Sequence, residues 1–86
     1  MDDSKLVRQF VTTNFYVPET LTLADDTSLL DEGIVDSTGM LEVTAFLEEQ
    51  FGIRVEDAEM LPENLETICR IIAFVASKRA ALPMSA

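Results

Sequence analysis

Few side chains in this sequence can do chemistry. There is no histidine, and the single cysteine, Cys69, sits inside an apolar run. Histidine-based triads and the usual zinc sites are therefore excluded. Acids are plentiful, but none is paired with a base in a pattern that would assemble an active site. Asp25, Asp26, Asp31 and Glu32 invite a calcium reading. Their spacing lacks the alternating ligands, central glycine and closing glutamate of an EF-hand loop, so they read as a solvated acidic loop with no metal. The stretch that remains is Gly33-Ile34-Val35-Asp36-Ser37-Thr38-Gly39-Met40-Leu41-Glu42-Val43, where a loop turns into an amphipathic helix. Either Asp36 or Ser37 could cap that helix. A hydroxyl at a helix start lies among unpaired N–H groups at the positive end of the dipole, where a phosphate ester would be well placed. The competing reading is that Ser37 only caps.

The elements that must position this serine follow from periodicity. Residues 4–15 predict a helix with Leu6, Val7, Phe10, Val11 and Phe15 on one stripe and Ser4 or Asp3 as cap. Pro18 ends it by about Val17. Residues 16–36 form a long connection that Leu21, Leu23, Leu29, Leu30 and Ile34 could pin to the helices, with a short turn starting near Asp26-Thr27-Ser28. Residues 37–51 predict the second helix, with Met40, Val43, Phe46, Leu47 and Phe51 inward and Gly52 as the stop. Thr38, Leu41 and Ala45 form a second, shorter stripe flanked by Glu42, Glu48 and Glu49. Two readings of it stand: a recognition face, or one wide buried face that takes Leu41 with it. A single turn is expected from about Asp57 to Leu61, and no sheet from Ile53-Arg54-Val55. The last helix is expected over 65–79, lined by Leu65, Ile68, Ile71, Ile72 and Val75 with Phe74 at the edge. Asn64 or Thr67 would cap it, and Arg70, Lys78 and Arg79 would favour its C-terminal end. Cys69 reads as a packed or half-exposed residue without function. The fold class is all-α: a small bundle of three main helices and one short one, with a long loop between the first and second.

Eighty-six residues suit one domain, with an ordered core of about 4–80 and a tail frayed after Ala81. The charge of −10 is uneven: residues 17–69 hold fourteen of the sixteen acids against Arg54 alone, a net of −13. Such a field disfavours nucleic acid and suits a basic protein surface. No stretch approaches the length of a membrane span, the N-terminus lacks signal-peptide order, and the lone cysteine fits a reducing, cytoplasmic setting.

One family carries these landmarks together. Asp36-Ser37 opening an acidic helix, Glu42 and Val43 within it, Leu30 and Gly33 upstream, then Phe51-Gly52-Ile53 and Leu65-Glu66-Thr67-Ile68, resemble the acyl carrier proteins, the phosphopantetheine-bearing domains that include peptidyl and D-alanyl carriers. The likeness spans residues 4–79. It implies that Ser37 carries 4′-phosphopantetheine through a phosphodiester, and that the thiol of the arm holds an acyl or aminoacyl cargo as a thioester. Asp36 would help a phosphopantetheinyl transferase recognise the site. Glu42, Glu48 and Glu49 would meet basic partners, with Thr38, Leu41 and Ala45 on the same contact face. The implied partners are that transferase, an acyl- or aminoacyl-activating ligase, and downstream synthase or transferase enzymes with basic surfaces. The chain would be a monomer and a carrier, not an enzyme. Thr38 departs from the leucine usual in fatty-acid carriers, and Gly39 replaces a common acid. The Gly-Ile-Val-Asp-Ser run is closer to stand-alone carriers of dedicated pathways. The alternative is an unmodified acidic interaction module with the carrier fold, which would need no serine at position 37.

Overall fold

A computed structural model describes residues 3–81, with the side chain of Ala81 left aside. Four α-helices follow one another: α1 (Asp3–Asn14), α2 (Ser37–Phe51), α3 (Pro62–Leu65) and α4 (Ile68–Ala81). A single 3₁₀ turn, Asp57–Glu59, precedes α3. No strand occurs among the described residues. Three long helices, one short one and a long first connection match the expected all-α bundle. The expected frayed tail lies outside the described residues.

α2 spans the residues its pattern predicts, and its Gly52 cap takes φ +68° while donating its N–H to Glu48 O. That left-handed conformation is open to glycine at no steric cost. α1 begins one residue earlier than expected, so Asp3 and Ser4 lie in its first turn and do not cap it. α4 packs against α1, α2 and α3. Val7 and Val11 of α1, Met40, Val43 and Leu47 of α2, and Ile68, Ile71, Phe74 and Val75 of α4 make the buried core, joined by Leu29, Ile34, Val35, Ile53 and Leu65. Phe10, Phe46 and Phe51 stand at the core's margin, where Phe10 stacks on Phe46 with centroids 4.1 Å apart.

The last helix needs correction. Pro62 at the first helical position starts a separate four-residue helix that ends at Leu65, and α4 begins only at Ile68. Thr67 settles the open cap: its Oγ1 accepts from Arg70 N at 3.0 Å. Asn64 lies inside α3 and donates its amide to Glu59 O. Because α4 starts this late, Arg70 stands in its first turn, where its guanidinium donates to the Glu63 carbonyl. It does not serve the C-terminal end. Phe74 is buried and Ile72 only half-buried, the reverse of the expected edge, and Cys69 is exposed.

The long connection is tied down by polar bonds as well as apolar side chains. Arg8 donates to the Leu23 carbonyl and pairs with Asp25. Cys69 N donates to Asp25 O, Leu29 N to Glu66 O, and Ser28 Oγ to Glu66 Oε2 at 2.7 Å. Leu29 and Ile34 are buried as expected, while Leu21, Leu23 and Leu30 pack half-buried against the core. The connection thus leans on the break between α3 and α4.

Candidate functional site

The site grows from Leu29. Its carbonyl accepts from both Ile34 N and Val35 N, and Gly33, at φ +71°, makes the turn that brings the chain back. Ile34 and Val35 are then buried, so the next residue has little freedom. That residue, Asp36, is the cap: its backbone is extended and its Oδ1 accepts from Gly39 N at 2.7 Å. Asp36 O accepts from Met40 N. Between the two open alternatives the geometry therefore chooses Asp36, and Ser37 becomes the first helical residue.

Ser37 is exposed. An α-helix leaves its first amides without intrahelical partners. Asp36 takes those of Gly39 and Met40; those of Ser37 and Thr38 have no acceptor among the described residues. An exposed hydroxyl beside two unclaimed N–H groups at the positive end of a fifteen-residue helix suits a phosphodiester. Among the described residues no three acidic or cysteine side chains group to hold a metal.

Gly39 has a role that sequence reasoning missed. A Cβ built on it would lie 2.8 Å from Phe15 Cε1, 3.1 Å from Val35 Cγ1 and 3.3 Å from Asp36 Oδ1. Its missing side chain lets the first turn of α2 rest against the end of α1 and the loop. Helix propensity counts a glycine here only as a cost, and no local sequence signal encodes the close approach.

Thr38, Leu41, Glu42, Ala45, Glu48 and Glu49 are all exposed, and Leu41 keeps 59% of its surface. Leu41 is therefore not carried into the core with the inward stripe. The residues divide into two flanks. Glu42, Ala45 and Glu49 line a groove of about 300 Å³ with Phe46 and with Phe10 and Asn14 of α1. Leu41 and Glu48 lie on the other flank by the helical turn. Glu48 is committed: its Oε2 accepts from Val55 N at 2.8 Å and holds the segment after Gly52. The sequence pattern puts Phe10 and Phe46 on inward stripes; the structure leaves both half-buried and makes Phe10 and Asn14 neighbours of these acids. A second cleft of about 500 Å³, at the start of α4, is lined by Asp26, Ser28, Glu66, Thr67, Cys69, Arg70 and Ala73 and does not include Ser37.

A short helical bundle that displays an exposed serine at the head of an acidic helix is the framework of a carrier domain. Comparison with known proteins agrees. Residues 5–75 match the family described as the phosphopantetheine attachment site. The chain is 39% identical over 57 residues to the D-alanyl carrier protein of Abiotrophia defectiva, covering 66% of this chain and 72% of that one. It is 42% identical over 52 residues to D-alanyl carrier protein 2 of Lactiplantibacillus plantarum, covering 60% and 65%. It is 35% identical over 63 residues to the acyl carrier protein of Renibacterium salmoninarum, covering 73% of each. The chain belongs to the phosphopantetheine-binding carrier proteins. The family's prosthetic group is covalently attached 4′-phosphopantetheine, and its members work with a phosphopantetheinyl transferase and with biosynthetic enzymes. No helix among the described residues is long and apolar enough to cross a membrane.

Proposed function

We propose that residues 1–86 act as a single carrier domain that bears its 4′-phosphopantetheine on Ser37 and presents a bound acyl or aminoacyl group to partner enzymes. The observation that carries this is the position of Ser37: an exposed hydroxyl on the first residue of α2, beside two amides with no acceptor among the described residues, in a chain of this family. The arm supplies a thiol, which the cargo occupies as a thioester. This chain's own residues do the rest. Asp36 caps the helix and fixes the direction in which Ser37 leaves the surface. Ile34 and Val35 anchor the loop behind it. Thr38, Leu41, Glu42, Ala45 and Glu49 meet basic partners, namely the transferase, an activating ligase and a downstream synthase or transferase. Glu48, being engaged with Val55 N, shapes this face more than it binds. The domain works as a monomer in the cytoplasm; its one free thiol fits a reducing compartment. Its likeness to D-alanyl carriers and to acyl carriers alike supports an acyl or aminoacyl cargo.

The test is direct. Incubated with coenzyme A and a broad-specificity phosphopantetheinyl transferase, the protein gains the mass of one arm, and Ser37→Ala gains none. A variant Ser37→Ala that is still labelled moves the site elsewhere and overturns the assignment. The intact mass of protein isolated from its own cells then identifies the cargo.

A further inference from the structure

The turn that displays Ser37 is sparsely bonded. Asp36 Oδ1 takes Gly39 N and Asp36 O takes Met40 N, while the amides of Ser37 and Thr38 have no acceptor among the described residues. A helix end of this kind frays unless packing holds it. The packing here is at Gly39, which is buried. A Cβ on Gly39 would lie 2.8 Å from Phe15 Cε1 and 3.1 Å from Val35 Cγ1, so the Phe15 ring edge and a Val35 methyl fill the space that a side chain would take. Successive helical residues turn by about 100°, which sets Gly39 and Ser37 on nearly opposite sides of the turn. Whatever presses on Gly39 therefore backs the surface from which the Ser37 hydroxyl leaves.

Phe15 is itself fixed. It follows the last residue of α1, and its N–H donates to Val11 O at 2.9 Å. Its ring meets that of Phe10 edge-to-face, with centroids 5.9 Å apart and planes at 75°. Phe10 stacks on Phe46, and Phe46 meets Phe51, the last residue of α2, at 6.3 Å. An aromatic column thus runs along α2, and Phe15 is its member at the serine's end.

We infer that Phe15 is a positioning residue for attachment of the arm: its ring edge, wedged where Gly39 has no side chain, keeps the first turn of α2 formed and Ser37 aimed at the transferase. In that transfer Ser37 Oγ attacks the phosphorus of coenzyme A that bears the pantetheine. The P–O–P bond breaks, adenosine 3′,5′-bisphosphate leaves, and the serine proton passes to a base of the transferase. A nucleophile that must approach in line, to about 3–3.5 Å, loses rate when its backbone wavers. Phe15 acts only through Gly39 and the backbone of α2. The inference rests on the carrier reading, which gives Ser37 this reaction.

The test measures initial rates of arm transfer against carrier concentration for the parent, Phe15→Ala, Phe15→Leu and Phe51→Leu, at a temperature where circular dichroism shows each one folded. Amide exchange at Gly39 and Met40 is followed in the free proteins. Phe15→Ala is expected to raise KM about 3- to 10-fold, the worth of one aromatic contact, because only part of the free population presents a formed turn. Once bound, the turn is formed, so kcat stays within about 2-fold of the parent. Exchange at Gly39 and Met40 speeds up relative to Leu47, deeper in the helix. Phe15→Leu keeps part of the wedge and raises KM about 2-fold, which carries the comparison if Phe15→Ala does not fold. Phe51→Leu, at the far end of the column, leaves KM unchanged. An unchanged KM in both Phe15 variants overturns the inference. A raised KM with parental exchange at Gly39 and Met40 makes Phe15 a direct contact of the transferase and overturns it too. An equal rise with Phe51→Leu means general loosening and has the same consequence. A parent that takes no arm on Ser37 fails the carrier reading and this inference with it; a parent modified normally beside any of those three results fails this inference alone.

Discussion

Replacing Gly39 with alanine sets two familiar rules against each other. Helix propensity alone says that Gly39→Ala stabilises, by up to about 1 kcal/mol in a helix interior and less in a first turn. Space says otherwise. The new methyl would sit 2.8 Å from Phe15 Cε1 and 3.1 Å from Val35 Cγ1, where carbon atoms prefer about 3.5–4.0 Å. The Phe15 ring edge is half-buried and can swing, at the expense of its edge-to-face contact with Phe10 at 5.9 Å. Val35 is 2% exposed and has nowhere to go. The methyl also presses on Asp36 Oδ1 at 3.3 Å, the atom that caps the helix. Overpacking of this kind costs about 1–3 kcal/mol, so the expected net loss is about 1–2 kcal/mol. For a domain of this size that lowers Tm by about 5–10 °C. Circular dichroism melts and urea titrations with unchanged m-values measure it. In a Phe15→Leu background the ring edge is gone, and the same substitution should cost less, with a coupling of about 0.5–1 kcal/mol. A Gly39→Ala protein as stable as the parent would refute the close-approach argument and restore propensity as the dominant effect.

Three other outcomes are expected. Glu48→Gln, which weakens the acceptor for Val55 N, should lower stability by about 0.5–1 kcal/mol in a urea titration, while Glu42→Gln should change it by less than about 0.5 kcal/mol. Glu59 titrates below the ordinary carboxylate range, first because Lys78 donates to its side chain and then because Glu56 N does. A depressed folded-state pKa contributes stability above the unfolded value and loses it as pH falls through the folded one. The stability gap between the parent and Glu59→Gln should therefore be widest near neutral pH and close on acidification; a gap independent of pH would count against the ion pair. The net −13 over residues 17–69 should make Tm rise with sodium chloride from 0.01 M to 0.1 M as the Debye length falls from about 30 Å to about 10 Å; a flat series would mean that the pairs at Asp25 and Glu59 already relieve the repulsion.

The parts legible in the sequence are those that a local pattern encodes. α2 could be read to the residue because its apolar period, its Asp-Ser start and its Gly52 stop all agree. The long loop's anchoring at Leu29 and Ile34 was visible as apolar residues in a polar stretch. The break at 66–67 was not, because Leu65 and Ile68 continue one apolar period across it while Pro62 starts a separate turn. Which of Asp36 and Ser37 caps depends on backbone geometry that composition does not carry. The division of the α2 acids into a groove side and a Val55 side needed the position of α1 and of the chain after Gly52. Such contacts lie between residues distant in sequence, and no local period reports them.

The stitching of the first loop to the α3–α4 junction bears on the order in which the molecule assembles. Leu29 N reaches Glu66 O and Cys69 N reaches Asp25 O, across roughly forty residues of intervening chain. Contacts of such sequence separation form late, after loop closure has been paid in entropy. α1, α2 and α4 can each begin to form from local contacts, yet the turn that aims Ser37 waits until the end of the chain has docked. The amides of Leu29 and Cys69, one on each side of the junction, should exchange with solvent hydrogen together, in a single cooperative opening rather than by separate fraying.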